Sequence, residues 1–406
     1  MQEEVIKICN KASGRFISVD TTETENGVFM AYIIDGLRSY IGIENSMYRH
    51  LSAEQLGAGV LDILAERTGI DKVDCIIAGN AVGAGGNIAR VMSLSTVFGV
   101  ETPAFTVDMQ CGSSLESIAL AAAKIDAGQA DIVIAGGFES SSTAPKRAYN
   151  SNHPGYTEFG DDWYKVAKFM PGTHRQTAML EGAELTAADE KISREEMNEW
   201  ILRSHRFAKE ARDKGILKDI VVSVADGCDK DEGIRDRMSE KLLNRLPAIL
   251  ENGSIITAGN ACLTNDGAAF VILCSEKYVR ENNCEIKAEF IDIAETGGTP
   301  DCSPKSCIAA IEKILKRNSL SPQDIDVYEC NEAFAVIDVL FARTFPEQVS
   351  KYNVFGGALA YGHPYGASGA IITLHALRAL ELKGGGYAVC GIAAAGGVGS
   401  AILLKK

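Results

Sequence analysis

The sequence is short of aromatic residues, of positive charge and of long apolar runs, and each shortage excludes something. Lys and Arg number 40 against 54 Asp and Glu, a formal net charge of −14. So acidic a chain lacks the clustered cations that hold a phosphate backbone, which excludes nucleic acid as a general partner. A local basic pocket for one phosphorylated cofactor stays open. No stretch reaches the roughly 20 apolar residues that cross a bilayer. The opening MQEEVIKICNKASGR has no apolar core of a secretory signal, and the closing AILLKK is no targeting tripeptide. The expectation is therefore no membrane partner and a cytoplasmic location. The 11 cysteines include no CxxC, and their odd number does not suit a secreted disulfide framework. They read as reduced thiols, mostly small buried hydrophobes, with one or two left for chemistry. Histidine spacing such as HExxH is absent, so no metal is implied.

What is present is a chain of 406 residues, long enough for two or three packed units. Aromatics make up 7% and glycines number 40, which suits an α/β protein with many tight strand–helix turns.

Residues 1–29 lack periodicity and read as an N-terminal extension. From Ala31 a pattern emerges. YIIDGL is a strand candidate, and AEQLGAGVLDILAERT, residues 53–68, has helical spacing of Leu, Val, Ile and Leu. VDCIIAGN, TPAFTVDM and ADIVIAGG read as strands, and SSLESIALAAAKIDAG as an Ala-rich helix. That order predicts parallel pairing with helices on the sheet faces. Residues 146–249 differ: they hold both tryptophans, Trp163 and Trp200, and dense charge. Ser193 with Glu196 reads as a capping box opening a helix that stops at Lys214 and Gly215. This stretch is read as an inserted loop domain. Residues 30–145 with 250–283 then form an N-terminal half, and residues 284–406 a C-terminal half.

The halves resemble each other. VDCIIAGNA has a counterpart in IDVYECNEA, and SSLESIALAAAKIDAGQADIVIAGG in SGAIITLHALRALELKGGGYAVCGI, both offset by about 250 residues. Like halves would pack about a pseudo-twofold axis, so corresponding elements would meet near the centre.

The residues with chemical potential lie at those corresponding places. Cys111 follows a strand and precedes the helix starting near Ser113. A thiol at a helix N-terminus feels the positive dipole end, which predicts a pKa below the usual value of about 8.5. For an arbitrary cysteine a core role is commoner; the flanking sequence reverses that here. His363 lies in GHPYGASG, where glycine and proline fix the backbone and aim the imidazole. Asn331, in NEAFA, follows a strand, where a carboxamide can serve a developing oxyanion or simply form a turn. Cys390 is taken to end the last strand before a small-residue loop, either as packing or as a second reactive thiol. Backbone N–H groups of that loop could approach a bound thioester.

Four segments in order resemble the thiolase family: VDMQCGSSLESIA, TAGNACLTNDGAA, NEAFA, and GHPYGASGA followed by a terminal Cys–Gly strand. GGFESSSTAP and ISREEMNEWILRSH resemble further family segments, and the likeness runs from about residue 40 to the C-terminus. It implies a duplicated five-layer αβαβα fold with an inserted loop domain. It implies reversible Claisen condensation and thiolysis of acyl-CoA thioesters, with coenzyme A as substrate and no permanently bound cofactor. By this resemblance Cys111 takes the acyl group and His363 draws its proton. Asn331 holds a water that shares an oxyanion hole with His363, and Cys390 deprotonates the α-carbon of the second acyl-CoA. A second oxyanion hole would use the backbone N–H groups of Cys111 and of the loop after Cys390. Met179 matches a position near the acyl pocket. Ala261 falls in the segment that lines the pantetheine tunnel, and Gly259 and Phe334 are expected, with Met179 and Ala261, to bind coenzyme A. A homodimer is the expected assembly, a homotetramer the other option.

The chain also departs from the family. The family ends Cys-x-Gly-Gly-Gly, whereas here the sequence reads Cys-Gly-Ile-Ala-Ala-Ala-Gly-Gly, and another alignment puts Gly391 in place of Cys390. Cys262 replaces the usual Ser after GNA, and Ala178 stands where short-chain members often carry His. Two alternatives accompany the main reading: a decarboxylative condensing enzyme, in which Cys390 would be inert, and a non-catalytic acyl-CoA or lipid-binding paralogue.

Overall fold

The computed structural model describes residues 30–406 except Thr173, together with the backbone of two short strands, Lys7–Cys9 and Phe16–Ser18. These two strands pair antiparallel. The rest of the extension expected over residues 1–29 lies outside the described residues.

Local signals fix the helices closely. Helix α1 (Ala53–Thr68) begins at Ser52, whose hydroxyl accepts from the Gln55 N–H while the Gln55 side chain returns to Ser52. It ends at Gly69 in the left-handed conformation, φ +71°. Leu56, Val60, Leu61 and Leu64 share its buried face. Each such side chain contributes about 1.5–3 kcal/mol of burial. The helix expected after Ser193 is also present, over Arg194–Asp213, with the Ser193–Glu196 capping box.

The strands on the main path of the sheet are β1 (Ala31–Ser39), β2 (Cys75–Gly79), β3 (Ala104–Val107), β4 (Ile132–Ser140), β5 (Asn265–Ser275), β6 (Ala288–Gly297), β7 (Ile325–Cys330), β8 (Tyr387–Ala394) and β9 (Val398–Lys405), with the two-residue strands Gly42–Ile43 and Val221–Val222 beside it. Their order in the sheet is β7-β8-β9-β6-β1-β5-β4-β2-β3. The order β7-β8-β9-β6 repeats β2-β4-β5-β1, which is the duplication seen in the sequence. The two halves join where Ala288–Phe290 of β6 pair with Ala31–Ile33 of β1.

Side-chain alternation sorts the layers. Helices α2 (Ser113–Asp126) and α3 (Ser368–Lys383), one from each half, share a central core with Ile77, Val133, Val271, Ile392 and Ile402. The opposite sheet faces pack on α1 and on α4 (Lys305–Arg317). The result is the five-layer αβαβα arrangement. No helix among the described residues is long and apolar enough to cross a membrane.

Candidate active site

The backbone turns sharply at Cys111. Gln110, immediately before it, sits at φ +52°, a left-handed conformation costing about 1–3 kcal/mol for a residue with a side chain. Local bonds hold it there: the Ser113 hydroxyl donates to the Gln110 carbonyl at 2.6 Å and accepts from the Met109 N–H at 2.9 Å. The turn presents the thiol at the mouth of α2.

The GHPYG loop approaches from the other half. A Cβ on Gly137 would sit 1.9 Å from the carbonyl oxygen of Gly366, so only glycine permits this contact. The Glu139 carboxylate ties the loop down by accepting from the N–H groups of Ala81, Val82 and Gly366 and from the Asn80 amide. Burial pushes this carboxyl up to about 7, the hydrogen bonds opposing. The first turns of α2 and α3 touch: the Ala370 N–H donates to the Ser114 hydroxyl at 3.0 Å, and a Cβ on Gly369 would meet the Leu115 backbone.

His363 is held on every side. Its N–H donates to the Asn265 side chain at 2.9 Å. Its Nδ1 lies 2.6 Å from the Ser368 hydroxyl, which itself donates to the Pro364 carbonyl. That chain assigns the ring proton to Nδ1 and leaves Nε2 as a base. The Asn331 amide lies 3.3 Å from Nε2. Burial pushes the His363 imidazole down to about 3, so the ring rests neutral. Asn331 is positioned by its N–H, which donates to the Gly391 carbonyl at 3.0 Å. The neighbouring Glu332 accepts from Ser204, Asn353 and the Leu359 N–H.

Cys111 differs from the expectation of a lowered pKa. Burial outweighs the helix dipole and pushes its thiol up to about 12. The backbone N–H groups of Cys111 and Ala395 act on the sulfur in the opposite sense. The resting pair is thus a neutral thiol and a neutral imidazole.

Cys390 is not brought to these residues. The strand runs four residues beyond it to Ala394, so the loop expected directly after Cys390 begins later and is short, with Gly396 and Gly397 turning at φ +88° and +78°. Cys390 therefore lies inside the sheet, fully buried, its thiol 3.7 Å from the Ile372 carbonyl of α3. Gly391, the alternative, faces Cys307 and Ile311 on α4. What reaches the elbow is Ile392, whose Cγ2 lies 3.7 Å from the Cβ position of Gly112, and the N–H of Ala395.

The segment from Gly259 runs alongside. Ala261 bridges to Phe334, the Cys262 N–H donates to the Ala333 carbonyl at 2.9 Å, and Thr264 bridges to His363. Gly259 packs against Leu243 and Leu246. Met179 is half-buried against the same apolar cluster as Cys262. Sequence reasoning passed over Ser368, Asn265 and Tyr365. Tyr365 lies edge-on to the His363 ring at 4.8 Å. All three sit inside the quoted motifs, which was their only signal.

A thiol at a strained elbow, with the loop that carries a neutral imidazole and its carboxamide partner leading into a helix packed on the same helix start, is the equipment of an acyltransferase. The model of the thiolase N-terminal domain matches residues 31–277 and that of the thiolase C-terminal domain residues 284–406. The chain belongs to the thiolase family. It is 34% identical to Bacillus subtilis YhfS, provisionally named an acetyl-CoA C-acetyltransferase, over 92% of this chain and 99% of that protein. It is 33% identical to Staphylococcus haemolyticus VraB, named in the same provisional way, over 93% and 98%. Human mitochondrial 3-ketoacyl-CoA thiolase superposes with a TM-score of 0.85 at 30% identity, covering 93% of this chain and 99% of that one. The same human enzyme in complex with CoA superposes at 0.84 and 30% identity, covering 93% and 98%.

Proposed function

We propose that this acyltransferase catalyses reversible Claisen condensation and thiolysis of acyl-CoA thioesters through an acyl-Cys111 intermediate. The observation that carries the reading is the chain Ser368–His363–Asn331, leading into a helix whose first turn packs on the first turn of the helix after Cys111. An imidazole locked as the Nδ1–H tautomer offers Nε2 to a thiol proton. The acyl group then passes from CoA sulfur to Cys111 sulfur. The N–H groups of Cys111 and Ala395 are suited to receive the oxyanion on that acyl carbonyl, and His363 with an Asn331-held water the one on the second thioester. The CoA complex of the human neighbour supports CoA as the carrier. Gly259, Ala261 and Phe334, with Met179 nearby, are assigned to its pantetheine arm.

The expected result with acetoacetyl-CoA and CoA is loss of enolate absorbance together with an acetyl adduct on Cys111. Turnover by Cys111→Ala would defeat the assignment. Exposed Val91, Leu94, Val97 and Val100 lie near the sheet-edge strand β3, which suits a homodimer. The working location is the cytoplasm.

One observation favours a second reading. With Cys390 in the core, β8 brings no acid–base side chain to the elbow, as a decarboxylative condensing enzyme would allow. Such an enzyme would condense malonyl-CoA and ignore acetyl-CoA as the nucleophile.

A further inference from the structure

Among the described residues, nine buried side-chain nitrogens and oxygens lack a hydrogen-bond partner. Two of them, Oε1 of Glu329 and Nε2 of His375, belong to side chains that line one cavity. That cavity lies where three segments of the candidate site meet. Glu329 and Asn331 reach it from the end of β7, Ser368 and His375 from α3, and Tyr361 and Gly362 from the stretch that leads into His363.

Regular geometry points both groups the same way. Glu329 pairs with Cys390 across the sheet, and paired residues project to one side. The Cys390 thiol faces α3, so Glu329 does too. His375 follows Ser368 by seven residues, two turns along the same face of α3. Glu329 is 1% exposed and His375 2%. The other polar side chains on the wall are engaged. The Tyr361 hydroxyl donates to the Phe355 carbonyl, the Ser368 hydroxyl serves Pro364 and His363, and the Asn331 amide meets His363. An unpaired polar atom at this depth is costly, and proteins pair such atoms with ordered water where no side chain reaches. The cavity measures about 10 Å³, the room that a single water needs.

We propose that this cavity holds one water bridging Glu329 and His375, and that the two side chains are positioning residues for Asn331 and His363. The bridge ties β7, which delivers Asn331, to α3, whose first residue Ser368 holds the His363 ring. Burial pushes the Glu329 carboxyl up and the His375 imidazole down, so both rest neutral. The carboxylic acid donates to the water, and the water donates to Nε2. No charge is left buried, and the bridge takes no part in proton transfer.

The test uses the full chain with Glu329→Gln, Glu329→Leu, His375→Leu and the double Leu variant. A crystal structure of the wild type should show one water within hydrogen-bond distance of Glu329 and of Nε2 of His375. Glu329→Gln, whose amide replaces the neutral acid, should retain that water, and either Leu variant should lose it. The kinetic part rests on the acyl-Cys111 reading. Acylation of Cys111 by acetyl-CoA, followed by intact mass, should slow by about 10–10²-fold in each single Leu variant. The double variant should be no slower than either, because each change already breaks the one bridge. Glu329→Gln should acylate near the wild-type rate.

Wild-type density without a water between the two side chains would overturn the proposal, whatever the variants do. So would Leu variants that acylate as fast as wild type, losses that multiply in the double variant, or a folded Glu329→Gln as slow as Glu329→Leu. A wild type that shows the water but forms no Cys111 adduct would support the water site and defeat the acyl-enzyme reading instead.

Discussion

The amide of Asn331 lies 3.3 Å from Nε2 of His363, a contact made across two loops that are fixed independently. Asn331 is held by the Gly391 carbonyl, and His363 by Asn265 and Ser368. Removing the carboxamide should therefore leave the imidazole in place. Asn331→Ala should lower kcat for thiolysis by about 10²–10³, the range for losing one oxyanion donor, with Cys111 still acylated. An unchanged kcat would take Asn331 out of the site.

Cys390→Ala tests whether this thiol takes part in the chemistry. The side chain is fully buried beside Ile372, so its truncation should cost about 1–2 kcal/mol of stability by cavity formation. Thiolysis should stay within about twofold of wild type. A collapse of activity with unchanged stability would return Cys390 to the chemistry.

Gly137→Ala probes the packing that aims His363. The new methyl would sit 1.9 Å from the Gly366 carbonyl oxygen, so the GHPYG loop must shift. Displacements of about 1 Å near a reacting centre cost on the order of 10²-fold in rate. Steady-state kinetics alongside thermal melting should show kcat falling further than the stability change explains. Wild-type kcat would show that the loop tolerates the shift.

His375 gives a pH-dependent signature. It is buried, its Nε2 is unpartnered, and burial with the Arg38 charge holds its imidazole well below 6.5. Below pH 6.5 the unfolded chain takes a proton there that the native chain refuses, so falling pH weakens folding. His375→Leu removes that loss. Its stability relative to wild type should rise by about 1.4 kcal/mol per pH unit below about pH 6.5. Urea melts at several pH values between 7 and 5 read this directly. A constant difference would mean that the native imidazole titrates normally.

Much of the fold was legible because it is written in local signals. Ser52 with Gln55, Gly69, and Ser193 with Glu196 mark helix ends whatever the tertiary context. The elbow at Cys111 and the loop at His363 were legible from glycine, proline and position. Cys390 was misread because a strand's end is set by its partners. Here β8 pairs with β9 through Ala394, opposite Val398. The Cys111 thiol shift was invisible for a similar reason: a dipole can be inferred from one helix, but desolvation requires the whole core. Cys262 was visible only as a departure from a motif.

Helices α2 and α3 meet back to back at the centre, and each half of the chain delivers only part of the proposed reaction centre: the thiol from one, the imidazole and carboxamide from the other. Two identical halves would carry every substitution twice, once on each side of the axis. Because both halves lie in one polypeptide, each side can differ from the other. One side carries sulfur and the other nitrogen, and the two helices hold this division of labour together.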